Sequence, residues 1–195
     1  MSDQKLSHVL RLVDEANSSD PNDIELRGER RPAAKVYGER MSAMLHQFQP
    51  DAADHLQIAA RAQHIERWKS PRSDFPEGRA GYLRWRTELK AFHARRVGEL
   101  MEQVGYDQDA ISRVGALIRK EGLKRDEEVQ TLEDVVCLVF LTFYASDFIA
   151  PHDDAKVIGI LAKTARKMSS RGLEAAGNIA LPDRLGRLLT TALSD

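Results

Sequence analysis

His64, His93, Glu133 and Asp134 are the side chains of this sequence best able to do chemistry, and two of them sit in an unusual setting. Residues 61–96 hold ten Lys or Arg against four Asp or Glu, so this stretch is +6 in a chain whose net charge is −1. Both tryptophans, Trp68 and Trp85, lie in it beside Tyr82, Phe92, His64 and His93. Guanidinium groups grip phosphate oxygens in pairs, and aromatic rings stack on flat bases. The mixture therefore points to a nucleotide, another phosphate-bearing small molecule, or RNA. It does not distinguish binding from cleavage.

His64 lies in a run of small and apolar residues, with Arg67 and Trp68 following, and reads either as a site histidine or as a hydrogen-bonded core histidine. On one continuous helix His55 falls on the opposite face, so the two do not share a metal. Arg86, Lys90 and His93 are spaced by four and three, which puts them on one helix face. That face either meets an anion or is simply solvated. Glu133 and Asp134 enter the most apolar segment of the chain, where carboxylates must be paired, ligated or hydrogen-bonded. The string Thr131-Leu-Glu-Asp134 has the form of a capping box, and a role as metal ligand or base is the other account. Lys156, Lys163 and Lys167 align as one basic stripe. Cys137 reads as a small buried hydrophobe. No phosphate-binding loop, GxGxxG or CxxC motif occurs.

The elements that position these groups are helices. The pattern predicts helices over 5–16, 32–48, from after Pro50 to before Pro71, 82–104, 107–120, 131–149, 153–170 and 182–193, with loops at 17–22 and 70–81 and no strand. Trp68, four residues after His64 on such a helix, would share its side. The expectation is an all-α, single compact domain of about eight helices over 1–195. No apolar run of 18 residues occurs, so no membrane span is expected. The absence of an apolar signal core and the single cysteine suggest a reducing, cytoplasmic setting.

The order of these pieces resembles the HD superfamily of helical metal-dependent phosphohydrolases. The likeness rests on Ile58-Ala-Ala-Arg-Ala-Gln-His-Ile65, Phe92-His-Ala-Arg-Arg-Val-Gly-Glu-Leu100, Val114-Gly-Ala-Leu-Ile-Arg-Lys-Glu121 and Leu132-Glu-Asp134. It implies an HD-like core over about 32–149 and a helical extension over 151–195. It also implies His64, His93 and Asp134 as ligands of one divalent transition metal (Mn, Zn or Fe), with Glu133 orienting or deprotonating water. Arg67, Arg86, Lys90 and Lys120 would then line the pocket for phosphate, and Trp68, Tyr82 or Trp85 would meet a base. The sequence departs from that pattern in three places. Ile65 stands where the paired aspartate is expected, Lys120-Glu121 where a further histidine is, and no histidine lies near Tyr37.

A second resemblance covers most of the chain. Gln63-His-Ile-Glu-Arg-Trp68, Tyr82-Leu-Arg-Trp-Arg86, Leu132-Glu-Asp-Val-Val-Cys-Leu-Val-Phe140 and Lys163-Thr-Ala-Arg-Lys-Met-Ser169 look like an uncharacterised helical family, the domain of unknown function family 4202. Some of its members carry the label glutamyl-tRNA synthetase, but this chain has no nucleotide motif of a synthetase. Three readings stand: a metal-dependent phosphohydrolase, a metal-free nucleotide- or RNA-binding module using the same cations and rings, and a helical protein-interaction domain.

Overall fold

A computed structural model of the chain describes residues 2–194. The expected span of 1–195 reaches one residue beyond them at each end. The fold is all-α apart from one two-stranded hairpin. The chain forms two compact units, one up to Glu121 and one from Gly122.

The first unit opens with α1 (Ser2–Asn17), followed by β1 (Asp23–Leu26) and β2 (Glu29–Pro32), paired antiparallel with Leu26 opposite Glu29. The expectation of no strand fails here. Each strand has four residues, too few for alternation to register, and the turn is Arg27-Gly28 rather than a typical Asn-Gly. Both turn residues nonetheless have positive φ, 53° and 83°, which is what a tight hairpin needs. Asp20 then caps the next helix, α2 (Ala33–Phe48), by accepting the Ala34 N–H at 2.8 Å.

The third helix, α3 (Asp54–Arg61), ends well before Pro71, the limit the sequence suggests. Its polypeptide continues as tight turns and two short 3-10 turns, Arg67–Lys69 and Arg72–Asp74. Tertiary contacts override helix propensity at Glu66. This residue is left-handed (φ 48°, ψ 34°), its N–H donates to the buried Asn17 at 2.9 Å, and its carboxylate accepts from Lys69 and Arg96. His64 therefore sits on a turn, and no helical four-residue relation links it to Trp68.

The long helix α4 (Gly78–Val104) is closed by left-handed Gly105, as the sequence indicates. Asp107 caps α5 (Gln108–Arg119) by accepting the Ala110 N–H at 2.8 Å. α4 packs on α5, α3 packs on both α2 and α5, and α1 crosses α3 and α4. Val13, Met41, Leu56, Ile58, Val97 and Leu117 are buried where these helices meet.

The second unit holds α6 (Glu127–Phe143), α7 (Ala145–Ile149), α8 (Asp154–Ala165), α9 (Ser170–Gly177) and α10 (Asp183–Ser194). α6 starts one turn earlier than predicted. Asp126 caps it by accepting the N–H groups of Glu128 and Val129, so Thr131 lies inside the helix and the capping box is not formed. The apolar face of α6 is buried as expected, Cys137 included. α6 packs on α9, and α8 on α10. Among the described residues no helix is long and apolar enough to cross a membrane.

Candidate functional site

Half of the ten cations in residues 61–96 meet carboxylates. Arg61 binds Asp14 through two bonds of 2.7 and 2.6 Å. Lys69 and Arg96 share Glu66, Arg84 meets Glu88, and Arg95 lies 3.7 Å from Glu99. Arg72 donates to the carbonyls of Phe75 and Pro76, which makes it a brace of the loop before α4. Glu66 and Glu88 are already counted in the formal +6, and Asp14 and Glu99, from outside the stretch, offset it further. Of the other cations, Arg67 and Arg86 act on His64, as does Lys120 at the end of α5.

Arg67 meets His64 directly, and His64 in turn neighbours His93. The His64 ring stacks on Tyr37 of α2, with centroids 4.1 Å apart and planes 17° apart. Its Nε2 lies 3.2 Å from Nη1 of Arg67. A guanidinium only donates, so His64 Nε2 accepts and the ring proton is assigned to Nδ1. The His93 ring lies 6.0 Å from that of His64. Its Nδ1 is 2.7 Å from the Ile65 carbonyl oxygen, which only accepts, so Nδ1–H donates. His93 Nε2 is left as a buried acceptor without a hydrogen-bond partner.

Both imidazoles are held neutral at pH 7. Burial lowers the His64 pKa well below its ordinary value, and Arg67, His93, Arg86 and Lys120 push it the same way. Burial also lowers His93, to about 4, with Arg67 and Arg86 adding to the effect and the Ile65 carbonyl opposing it. Arg67 is itself desolvated and repelled by Arg86.

The rings divide by role. Trp85 is buried, donates its Nε1–H to the Ser70 carbonyl at 2.9 Å, and carries the Arg67 guanidinium 5.2 Å above its ring. One face of Trp85 is thus taken by Arg67. Tyr82 is exposed, 5.9 Å from Trp85, and is the accessible ring beside the cations. Trp68 is half-buried in its 3-10 turn. Lys90 is half-buried one turn beyond Arg86.

Two parts of this arrangement escaped the sequence reading. Tyr37 forms the floor under His64, and the available signal was its neighbour Gly38: a Cβ there would stand 2.8 Å from the Arg61 carbonyl, so glycine lets α2 approach the end of α3. The other is the backbone of Ile65. Where the HD pattern has an aspartate side chain, a carbonyl oxygen orients His93 here, and no side-chain pattern reports that.

In the second unit Asp134 is 1% exposed, and both carboxylate oxygens are in use. Oδ1 accepts from the Ser169 N–H at 2.8 Å and Gln130 Nε2 at 3.0 Å, and Oδ2 accepts from the Ser169 hydroxyl. Ser169 in turn caps α9 by accepting the Gly172 N–H at 3.0 Å. A Cβ on Gly172 would stand 2.6 Å from the Asp134 carboxylate, so glycine is required for this approach. Glu133 is also buried, with Lys167 Nζ at 4.0 Å.

The HD resemblance implies a metal, and the residues present do not fit one. Among the described residues no group of three or more His, Cys, Asp or Glu side chains is placed to hold a metal ion. A divalent cation at His64 and His93 would join Arg67, Arg86 and Lys120, and His64 Nε2 already accepts from Arg67. The charges acting on His64 are all positive.

Among curated proteins none matches the chain, and no solved structure matches it either. The match that exists is to a family, whose sequence model covers residues 7–189. That is nearly the whole chain, from within α1 to within α10, and it includes every residue of the histidine–arginine cluster: the chain belongs to the family described as Domain of unknown function (DUF4202).

Proposed function

We propose that the first unit binds a compact phosphate-bearing ligand of nucleotide type without a metal ion. One observation carries this reading. Arg67, Arg86 and Lys120 all act on the neutral His64 imidazole, Arg67 and Arg86 act on His93 as well, and the charges felt by His64 are all positive. Cations gathered in a partly desolvated place repel one another unless an anion joins them. Arg67, half-buried and desolvated, gains from a charge-assisted bond to phosphate. The exposed Tyr82 ring supplies a surface for a base.

The pairing pattern favours a small ligand over RNA. Six of the ten cations in residues 61–96 already hold carboxylates or carbonyls, so a chain of phosphates finds no row of unengaged partners along this stretch.

Calorimetric titration of nucleoside mono- and diphosphates into the full chain tests the reading. Arg86→Gln should weaken binding at least tenfold, and Tyr82→Ala should weaken nucleotides more than inorganic phosphate. Unchanged affinity in Arg86→Gln removes the cation cluster as the site. Tight binding of single-stranded RNA with a steep salt dependence would replace the small ligand by a polymer.

A further inference from the structure

The unpartnered nitrogen of His93 narrows the ligand. His93 is 2% exposed, and its Nδ1 is committed to the Ile65 carbonyl at 2.7 Å. That bond leaves Nε2 as an acceptor, with its lone pair directed away from the carbonyl and no donor to meet it. The charges acting on His93 are those of Arg67 and Arg86, and Arg67 is engaged with His64 at 3.2 Å and with the Trp85 face. A buried acceptor left without a donor costs about 1–3 kcal/mol, and such a group in a folded protein calls for an explanation.

We propose that the site selects an anion that brings its own proton: the ligand's charged oxygens bind Arg67, Arg86 and Lys120 while a P–OH, or a hydroxyl next to the phosphate, donates to Nε2 of His93. The inference rests on the anion-binding reading of the same cluster and adds a rule of discrimination to it. A phosphate oxygen is a stronger partner for Arg67 than a neutral imidazole. The ligand therefore competes with His64 Nε2 for the guanidinium, beside the His93 ring 6.0 Å away. Three cations alone accept any tetrahedral dianion. The lone pair of His93 separates those with a proton from those without, because an acceptor facing a bare anionic oxygen is repelled and stays unpaired.

Inorganic phosphate and sulfate make the test. At pH 7.5 the two are tetrahedral, mostly dianionic and similar in size, but only hydrogen phosphate carries a proton. Each is titrated calorimetrically into the full chain at matched ionic strength. Phosphate should bind at least tenfold more tightly than sulfate. In His93→Asn the side-chain amide keeps a donor for the Ile65 carbonyl but has no acceptor at the Nε2 position, so the preference should collapse to within about twofold, mainly by loss of phosphate affinity. Equal affinities in the unmodified protein overturn the inference while leaving the anion site in place. So does a preference that survives in a folded His93→Asn. Binding of neither anion overturns the inference and the anion-binding reading together. If His93→Asn does not fold, the comparison of the two anions in the unmodified protein still decides.

Discussion

His93 donates its Nδ1 proton to the backbone carbonyl of Ile65 at 2.7 Å, and that bond ties α4 to the turn that ends α3. It also decides which nitrogen of His93 keeps a lone pair. The contact orients the imidazole without help from a carboxylate, while burial, with Arg67 and Arg86 adding to it and this carbonyl opposing it, keeps the ring neutral.

The neutrality of His93 makes stability depend on pH. Unfolded, the ring titrates near 6.5; folded, at about 4. Between these values the unfolded chain holds a proton that the folded chain lacks, so stability rises with pH. The contribution is complete above about pH 6.5 and is lost as pH falls to about 4, a difference of about 3 kcal/mol. His64 is shifted in the same direction and adds to it. The denaturant midpoint should fall between pH 7 and pH 4.5, and His93→Asn should flatten that slope. A slope identical in the two proteins would mean that His93 does not titrate as a buried neutral ring.

Lys120 closes α5 in a left-handed conformation, φ 61° and ψ 41°, where glycine is the usual residue. A lysine there pays about 1 kcal/mol for its Cβ. Its charge is one of those acting on His64. Lys120→Gly should therefore melt no lower than the unmodified protein, while its affinity for inorganic phosphate falls several-fold. Thermal melting and calorimetric titration of the same sample check both halves. A variant that binds phosphate unchanged would take Lys120 out of the cluster.

Several helix ends were legible because they are written in the chain: Gly105 after α4, Asp107 before α5 and Asp153 before α8 all behave as their residue types suggest, but the helix expected over 153–170 ends at Ala165, and Ser169 caps α9, which the pattern did not show. The early end of α3 was not legible either, since it depends on Asn17 reaching the Glu66 N–H from 49 positions away. His64, His93, Arg67, Arg86 and Lys120 were all visible as candidates, and the first unit does bring them together. What the sequence hid was the pairing of their neighbours. Charge counting cannot tell Arg72, which braces carbonyls, from Arg67, which faces an imidazole. Nor does Glu133-Asp134 at the head of an apolar run reveal that Asp134 serves Ser169, a partner 35 residues later.

That partnership can be measured directly. Asp134→Ala would strip acceptors from the Ser169 N–H, the Ser169 hydroxyl and Gln130, and would uncap the start of α9 indirectly through Ser169. Gln130 keeps the Lys167 carbonyl, so two Ser169 donors lose their acceptor at about 1–3 kcal/mol each, and a loss of about 2–6 kcal/mol is expected. Gly172→Ala should be comparably severe, because its methyl group would press on the same carboxylate. Denaturant unfolding gives both values. A near-neutral Asp134→Ala would show that the carboxylate does not hold α9 and would reopen a role for it in chemistry.

Chelation and salt separate the anion site from its two rivals. Cations fixed by the fold need no metal, so 5 mM EDTA should leave the affinity for inorganic phosphate unchanged; a loss restored by manganese or zinc would return His64 and His93 to the role of metal ligands. Raising potassium chloride from 50 to 200 mM should weaken a nucleoside monophosphate by less than about tenfold, because a single phosphate meets only a few charges. A ligand making six to ten phosphate contacts loses about 10³–10⁵ in affinity over the same interval. A drop of that size, seen with an oligonucleotide that outcompetes the mononucleotide, would mean that the paired arginines of residues 61–96 exchange their carboxylates for a nucleic-acid backbone, and that Arg67, Arg86 and Lys120 are one end of a longer track.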